Sequence, residues 1–310
     1  MKKGSEKLIG FIAILLVLLA AKFWLKTDML FFRLLVGTGL GYALARAYTG
    51  FAGSVNRAYR TGSTKLMRTL MFMFFITALL TTAFLLGNDP ASFNLWVKPL
   101  NFGVILGGLF FGFGMSLSIC CASGVLTDLS AGFPRAFTTL IFFGLGVFLG
   151  FPIQNTASWV RESWFSTYIG YRTMGGVFLP DLFQGDGFEG YLGGLIALGA
   201  LCLIFVALSY LYEKSQIKSG KYKGLPIEKV QEDLEPIDLK NFKLFSADTY
   251  YHFFEKPWTL KQGAIVIAII FTLLMGVTRA GWGASQPYGI WFGKFLMLFG
   301  ISAETLSGFT

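Results

Sequence analysis

The chain has 310 residues, of which 54% are hydrophobic, 17% aromatic and 14% charged, with a mean hydropathy of +0.61. That balance excludes an ordinary soluble domain and marks an integral membrane protein. The formal charge of +9 collects at the ends of apolar runs with no basic stripe on a folded surface, so lipid headgroups are its expected partners and nucleic acid is not.

A spanning helix needs about 20 mostly apolar residues. In chain order such runs fall at 8–25, 30–48, 66–86, 100–119, 135–153, 190–212 and 263–279, with a shorter one at 288–303. The predicted fold class is therefore an all-α polytopic membrane protein of about eight spanning helices. Met1-Lys-Lys-Gly-Ser-Glu-Lys7 opens the chain like a signal peptide, but no small-x-small cleavage site closes the apolar run behind it. It reads as an uncleaved first span.

Lys and Arg gather at Arg57, Arg60 and Lys65, in the turn from Asp128 to Arg135, and in the stretch from Glu213 to Lys261, which holds nine Lys beside eight acidic residues. The alternate loops hold Lys26, Lys98, Arg161 and Arg172. The positive-inside rule then predicts a multi-pass protein of the cell inner membrane with a cytoplasmic N-terminus.

The first membrane half, 1–212, carries an internal repeat over about 30–86 and 100–153. Gly39-Leu-Gly41-Tyr-Ala-Leu44 matches Gly112-Phe-Gly114-Met-Ser-Leu117, and each copy reaches a polar-small step, Thr49-Gly50 or Ser123-Gly124, then a Gly and an Arg. Pseudo-symmetric repeats of this kind build transporter folds. The stretches 49–60 and 120–130 are too short to span and predict re-entrant or interfacial helices. Charges and prolines in 213–262 predict a cytoplasmic linker, and 263–310 reads as the start of a second, incomplete membrane half.

Chemistry concentrates at one place. On a helix Gly108, Gly112, Ser116 and Cys120 recur every four residues as a small-residue face, with Gly114, Ser118 and Cys121 expected on the adjoining face. Two readings stand open: close packing against another helix, or a substrate path narrowed by the thiol pair. A half-helix beginning after Cys121, capped by Ser123, would offer backbone N–H groups to an anion, and thiols are weak donors to a terminal sulfur. Asp128 would oppose a dianion.

No metal or cofactor is expected, since zinc wants four ligands while Cys202 lies mid-span elsewhere and His252 lies in the linker. No catalytic constellation accompanies the cysteines, so an enzyme is not expected. Cys202 reads as a packed small hydrophobe and His252 as part of an aromatic interfacial stretch. Asn56, Arg57 and Arg60 read as headgroup-facing or topology-setting, with an electrostatic funnel at the inner mouth as the alternative, and Asn101 as a helix cap.

At these residues the sequence resembles the YeeE/YedE family of sulfur-transport membrane proteins, whose characterised members include thiosulfate permeases and which has members linked to selenium metabolism. The family's F-G-F-G helix followed by G-G-C-x-[ST]-G is matched by Phe111-Gly-Phe-Gly114 and by Cys121-Ala-Ser-Gly124, with Ile119 and Cys120 standing where the two glycines are usual. The earlier copy matches in Arg46-Ala-Tyr-Thr-Gly-Phe51 and Arg60-Thr-Gly62, with Gly50 where many members carry a cysteine, and Thr127-Asp128 replaces a frequent Tyr-Arg. The resemblance covers about residues 30–150, and Gly281 through Gly300 is similar to the lead-in of the family's other half.

The resemblance implies pseudo-symmetric halves whose short inward helices meet at the centre, and substrate contact by cysteine sulfur without covalent transfer. The expected function is a permease for a small inorganic sulfur anion, thiosulfate or a relative. Its expected path passes Cys121, Cys120, Ser123, Gly124, Gly112, Gly114, Ser116, Ser118 and Gly50. A membrane thiol that relays persulfide sulfur to a cytoplasmic sulfur-carrier protein, and a non-transporting membrane subunit, are the competing readings.

Overall fold

The apolar runs fold as helices, including the one that carries Pro152. The computed structural model describes residues 3–88, 92–94, 98–119, 121–129, 132–162, 164–234, 243, 246–283 and 285–306. Cys120 lies outside the described residues. The chain divides into two units, 1–42 and 43–310.

The first unit holds α1 (Lys3–Trp24) and most of α2 (Asp28–Ala47). The Thr27 hydroxyl accepts from the Leu30 amide at 3.3 Å, which starts α2. Lys22 pairs with Asp28 at 2.5 Å across the turn, and both side chains are exposed, so the pair contributes little to stability.

In the second unit the end of α2 leads through Tyr48 to α3 (Phe51–Thr61), and Gly62 closes α3 in the left-handed conformation, with φ 77°. Then come α4 (Lys65–Leu86), α5 (Phe102–Ser118), α6 (Gly124–Asp128) and α7 (Phe133–Thr156). Short helices α8 (Ser158–Arg161) and α9 (Tyr168–Thr173) precede α10 (Tyr191–Lys218). The rest comprises α11 (Pro226–Glu232), α12 (Ala247–Tyr250), α13 (Leu260–Thr278), α14 (Gln286–Met297) and α15 (Ala303–Leu306). Thr259 and Gln262 form a reciprocal capping box at the start of α13.

Among the described residues five stretches are long and apolar enough to cross a membrane: Asp28–Thr61, which takes in α2 and α3, then α4, α7, α10 and α13. The protein is a multi-pass, all-α membrane protein. Ile9–Trp24 and Phe102–Ser118 are shorter apolar helices. The 17 residues of α5 reach about 25 Å, less than the roughly 30 Å hydrocarbon core. The candidate span at 288–303 is also shorter than its hydropathy implied: α14 has 12 residues, and a turn ends at Gly300 with φ 87°.

α4 packs on α13 and α10, while α7 packs on α14. Glycines permit the closest approaches: a Cβ on Gly263 would come within 2.2 Å of the Ala47 Cβ, and one on Gly144 within 3.2 Å of the Tyr288 carbonyl.

Hydrogen bonds sort the connecting segments into two groups. At one end Gln231 donates to the carbonyls of Ala47 (3.1 Å) and Trp258 (2.7 Å), Arg46 donates to the Lys256 carbonyl, and Ser63 donates to Glu228 at 2.6 Å. Glu213 accepts from the Thr64 amide and hydroxyl and from Arg68, and so supplies the cap that α4 lacks in its own sequence. The other group ties Leu100 to Val177 and Asn94 to Ala280 in isolated bridges. There Asp186 accepts from the amides of Phe188, Gly190 and Gly193 at the start of α10.

Candidate functional site

Asn101, 1% exposed, starts α5 by accepting from the Val104 amide at 2.9 Å, and its own amide donates to the Gly175 carbonyl. The cap predicted at Asn101 is thus present. α5 ends at Ile119, whose φ of 59° turns the chain sharply, and the Ile119 amide closes onto the Met115 carbonyl. Cys121 follows, 7% exposed and in no disulfide among the described residues, in a buried cluster with Ala52 of α3 and Met115 of α5.

The thiol is held by its own loop. Its Sγ accepts from the Gly124 amide at 3.3 Å and lies 3.5 Å from the Ser123 hydroxyl. Ser123 was expected to cap the helix that follows. It occupies the N-cap position but makes no side-chain cap bond, and Cys121 sulfur takes the helix's first amide in its place. The helix itself has five residues, too few to present the anion-binding dipole the sequence suggested.

Two neighbouring elements fix this loop. Tyr288 of α14 donates to the Ala122 carbonyl at 2.6 Å. Asn56 of α3, 9% exposed, donates to the carbonyls of Ala52 (3.0 Å) and Met115 (3.3 Å). The headgroup-facing reading of Asn56 is corrected accordingly: a buried amide needs partners, and it finds them across the α3–α5 contact.

A cavity of about 380 Å³ opens beside Cys121, lined by Thr49, Gly50, Arg57, Ser123, Gly124 and Arg135 among others. Among its described lining residues the charged side chains are both cationic, Arg57 and Arg135. Arg57 donates to the Tyr48 carbonyl at 2.8 Å and faces Glu228 at 3.4 Å, so it is fixed at the cavity wall by protein partners. The buried Thr49 hydroxyl has no hydrogen-bond partner among the described residues.

On its other side Cys121 lines a second, mostly apolar cavity of about 800 Å³ between α5 and α7, together with Gly114, Met115, Ser118 and Thr139. A third, of about 830 Å³, shares Phe110, Gly146 and Val147 with it and reaches Lys98 and Gln154. The two are one groove along the α5–α7 pair. Cys121 is the side chain common to this groove and the cationic cavity, together with no other described lining residue.

The structure therefore gathers Gly50, Cys121, Ser123 and Gly124 at the smaller cavity and Gly114, Ser118 and Cys121 on the groove. Gly112 and Ser116 line neither. At 100° per residue, positions 112 and 114 diverge by roughly 200°, so the two faces expected to adjoin point apart. A Cβ on Gly107, Gly108, Gly112 or Gly114 would meet nothing within 4 Å, so close packing among the described residues does not account for these glycines.

Arg135 and Thr49 were missed as cavity residues, and Arg57 was weighed chiefly as a topology signal. The signal was available: Gly50, Gly53 and Arg57 recur at i, i+3 and i+7, on one helical face, and all three line the cavity. Cys202 is 7% exposed within α10, as a packed hydrophobe should be. Among the described residues no group of three or more His, Cys, Asp or Glu could hold a metal ion.

Comparison with known proteins adds two findings. The profile of a family described as Sulphur transport matches residues 46–310. A thiosulfate transporter, TsuA, from Spirochaeta thermophila is 31% identical over 121 residues, which are 39% of this chain and 36% of the relative. The alignment thus spans little more than a third of that protein. No solved structure matches the chain.

Proposed function

The chain belongs to the sulphur transport family, the YeeE/YedE proteins, and from that premise we propose that it is a permease for a small sulfur-containing anion, thiosulfate or a relative. The observation that carries the reading is the position of Cys121, a thiol between a cavity with cationic walls and a groove along α5 and α7. Cationic walls raise the local concentration of an anion. A thiol held in place offers a weak, polarizable contact that binds without trapping, as conduction requires. The likeness to a relative named for thiosulfate transport supports the choice of anion.

In this reading the substrate meets Cys121, Ser123, Gly124 and Gly50 in the cationic cavity and Gly114 and Ser118 along the groove. Gly112, Ser116 and Cys120 belong to the path only as sequence expectations. The end carrying Arg57, Arg135 and the 213–262 segment faces the cytoplasm, in keeping with its lysines and arginines, and the protein sits in the inner membrane with its N-terminus inside. A sulfur carrier that receives the anion would dock at that end.

Uptake of ³⁵S-thiosulfate in cells expressing wild type, Cys121→Ser or Cys121→Ala tests the proposal. The expected order is wild type, then serine, then alanine near background, at equal protein abundance. Equal uptake by all three overturns the role of Cys121. A persulfide relay would instead take a sulfane sulfur from added polysulfide, which leaves one sulfur shorter, and the alkylated Cys121 persulfide would lose its label on reduction, whereas the permease gives a thioether label that reductant does not release.

A further inference from the structure

Glu228 stands behind the cationic cavity and not in it: it belongs to α11, in the charged segment between α10 and α13, and is 2% exposed. Its two oxygens are held unequally. Oε2 accepts from the Ser63 hydroxyl at 2.6 Å, whereas Oε1 lies 3.4 Å from the Arg57 Nη1, beyond the roughly 2.7–2.9 Å of a tight charge-assisted bond. Arg57 takes its place from a different partner, the Tyr48 carbonyl, which accepts from Nη2 at 2.8 Å. The guanidinium is thus positioned at the cavity wall by Tyr48 and only loosely neutralised by Glu228. We propose that Glu228 is the release residue of the permease, an internal counter-charge that competes with the bound anion for Arg57. The anion draws Nη1 from Glu228 as it settles in the cavity, and Glu228 recovers it as the anion leaves.

A half-buried arginine with no counter-charge would hold a divalent anion too well, and a conducting site must bind weakly enough to let go. A carboxylate on the far side of the guanidinium supplies that limit without lining the path. The exchange also has a mechanical consequence. Once Nη1 turns to the anion, Glu228 keeps the Ser63 hydroxyl alone, and a buried carboxylate deprived of its cation is strongly unfavourable. α11 relieves this by letting Glu228 reach water. Its remaining hold is polar: the Gln231 amide donates to the carbonyls of Ala47 and Trp258, and Lys65 pairs with Glu232 at 2.6 Å. The Gln231 side-chain oxygen is buried with no hydrogen-bond partner among the described residues, so this contact loses less than a fully satisfied one when it loosens. Anion binding and loosening of α11 are therefore coupled through one guanidinium.

The inference rests on the permease reading, and equilibrium binding of ³⁵S-thiosulfate to the purified chain, beside uptake into proteoliposomes, separates the two. Glu228→Gln keeps an acceptor for Ser63 and removes the charge. Per folded molecule it should bind about tenfold more tightly than wild type, with a severalfold lower Vmax because release slows. In an Arg57→Gln background the same change should leave affinity within about twofold, since the competition runs through Arg57. A readout that needs no variant is amide exchange in 226–232 of the wild type: thiosulfate should speed it about fivefold, and chloride at equal ionic strength should not. Unchanged or weaker binding by Glu228→Gln overturns the proposal. So does an equal gain in the Arg57→Gln background, the mark of a bare field effect, or amide exchange indifferent to thiosulfate. Each of these, beside a transporting wild type, leaves the permease reading intact, whereas absence of wild-type binding and uptake above background overturns both.

Discussion

The phenol of Tyr288 donates to the carbonyl of Ala122 at 2.6 Å, which ties α14, late in the chain, to the residue beside Cys121. Tyr288 is 6% exposed and packs edge-on against Phe143 of α7. The cysteine loop is therefore held by a contact formed across more than half of the sequence.

Removing that hydroxyl should loosen the loop without emptying the core. Tyr288→Phe keeps the ring and loses one hydrogen bond of about 1 kcal/mol, which raises the open population about fivefold. In a background lacking Cys120 and Cys202, maleimide labelling of Cys121 should speed up by that factor. An unchanged labelling rate would show that the bond does not hold the loop.

The open glycines of α5 separate a path from a packing face. Gly107→Ala and Gly114→Ala should fold as well as wild type or gain up to about 1 kcal/mol from helix propensity, since nothing lies within 4 Å of either Cβ. Gly114→Leu should fold and yet lower uptake, because it fills the groove. Gly263→Ala is the contrast: its Cβ collides with Ala47 and should lower stability by about 1–3 kcal/mol in a detergent melt.

Glu228 is 2% exposed and serves two partners, the Ser63 hydroxyl at 2.6 Å and Arg57 at 3.4 Å. Glu228→Ala removes the carboxylate from both, leaving Arg57 its bond to the Tyr48 carbonyl, and should lower stability by about 3 kcal/mol. Glu228→Gln keeps an acceptor for Ser63 and should lose roughly half as much. Thermal unfolding of the two variants beside wild type measures the difference, and equal melting of all three would refute it.

Asp186 predicts an acid sensitivity. Its carboxylate is held below the ordinary aspartate range first by the Gly193 amide, against desolvation as the next-largest effect, and then by the amides of Phe188, Gly190 and Leu192. A carboxylate whose folded pKa is depressed stabilises the fold fully above its unfolded pKa, and that contribution fades as pH falls through the folded one. Asp186→Asn should thus be less stable than wild type at neutral pH, and the two melting curves should converge below about pH 4. A gap independent of pH would refute the assignment.

Hydropathy made the helices legible, because each apolar run forms one and the Asn101 cap and the Thr/Ser-Gly steps mark their ends. It overestimated the spans, since α14 and α5 are shorter than the apolar stretches that contain them. The thiol at Cys121 was legible from its motif, but its surroundings were not. Arg57 of α3 and Arg135 of α7 lie 78 positions apart in sequence and meet at one cavity only through tertiary packing, which no periodicity encodes. Nor could the sequence give Ser123 its place, because whether sulfur or hydroxyl takes the first amide depends on how sharply α5 ends.

That sharp ending has a mechanical side. A β-branched residue at a φ of 59° sits about 1–2 kcal/mol above its relaxed state, and Ile119 is held there by the Met115 carbonyl and the elements packed around the loop. The turn behaves as a wound spring held shut by the bonds on the Cys121 loop. Any event that slackened the hold of α3 or α14 would let Ile119 unwind toward an extended conformation and carry the thiol with it, so motion at this wall is driven from within the backbone and needs no rearrangement of the long helices.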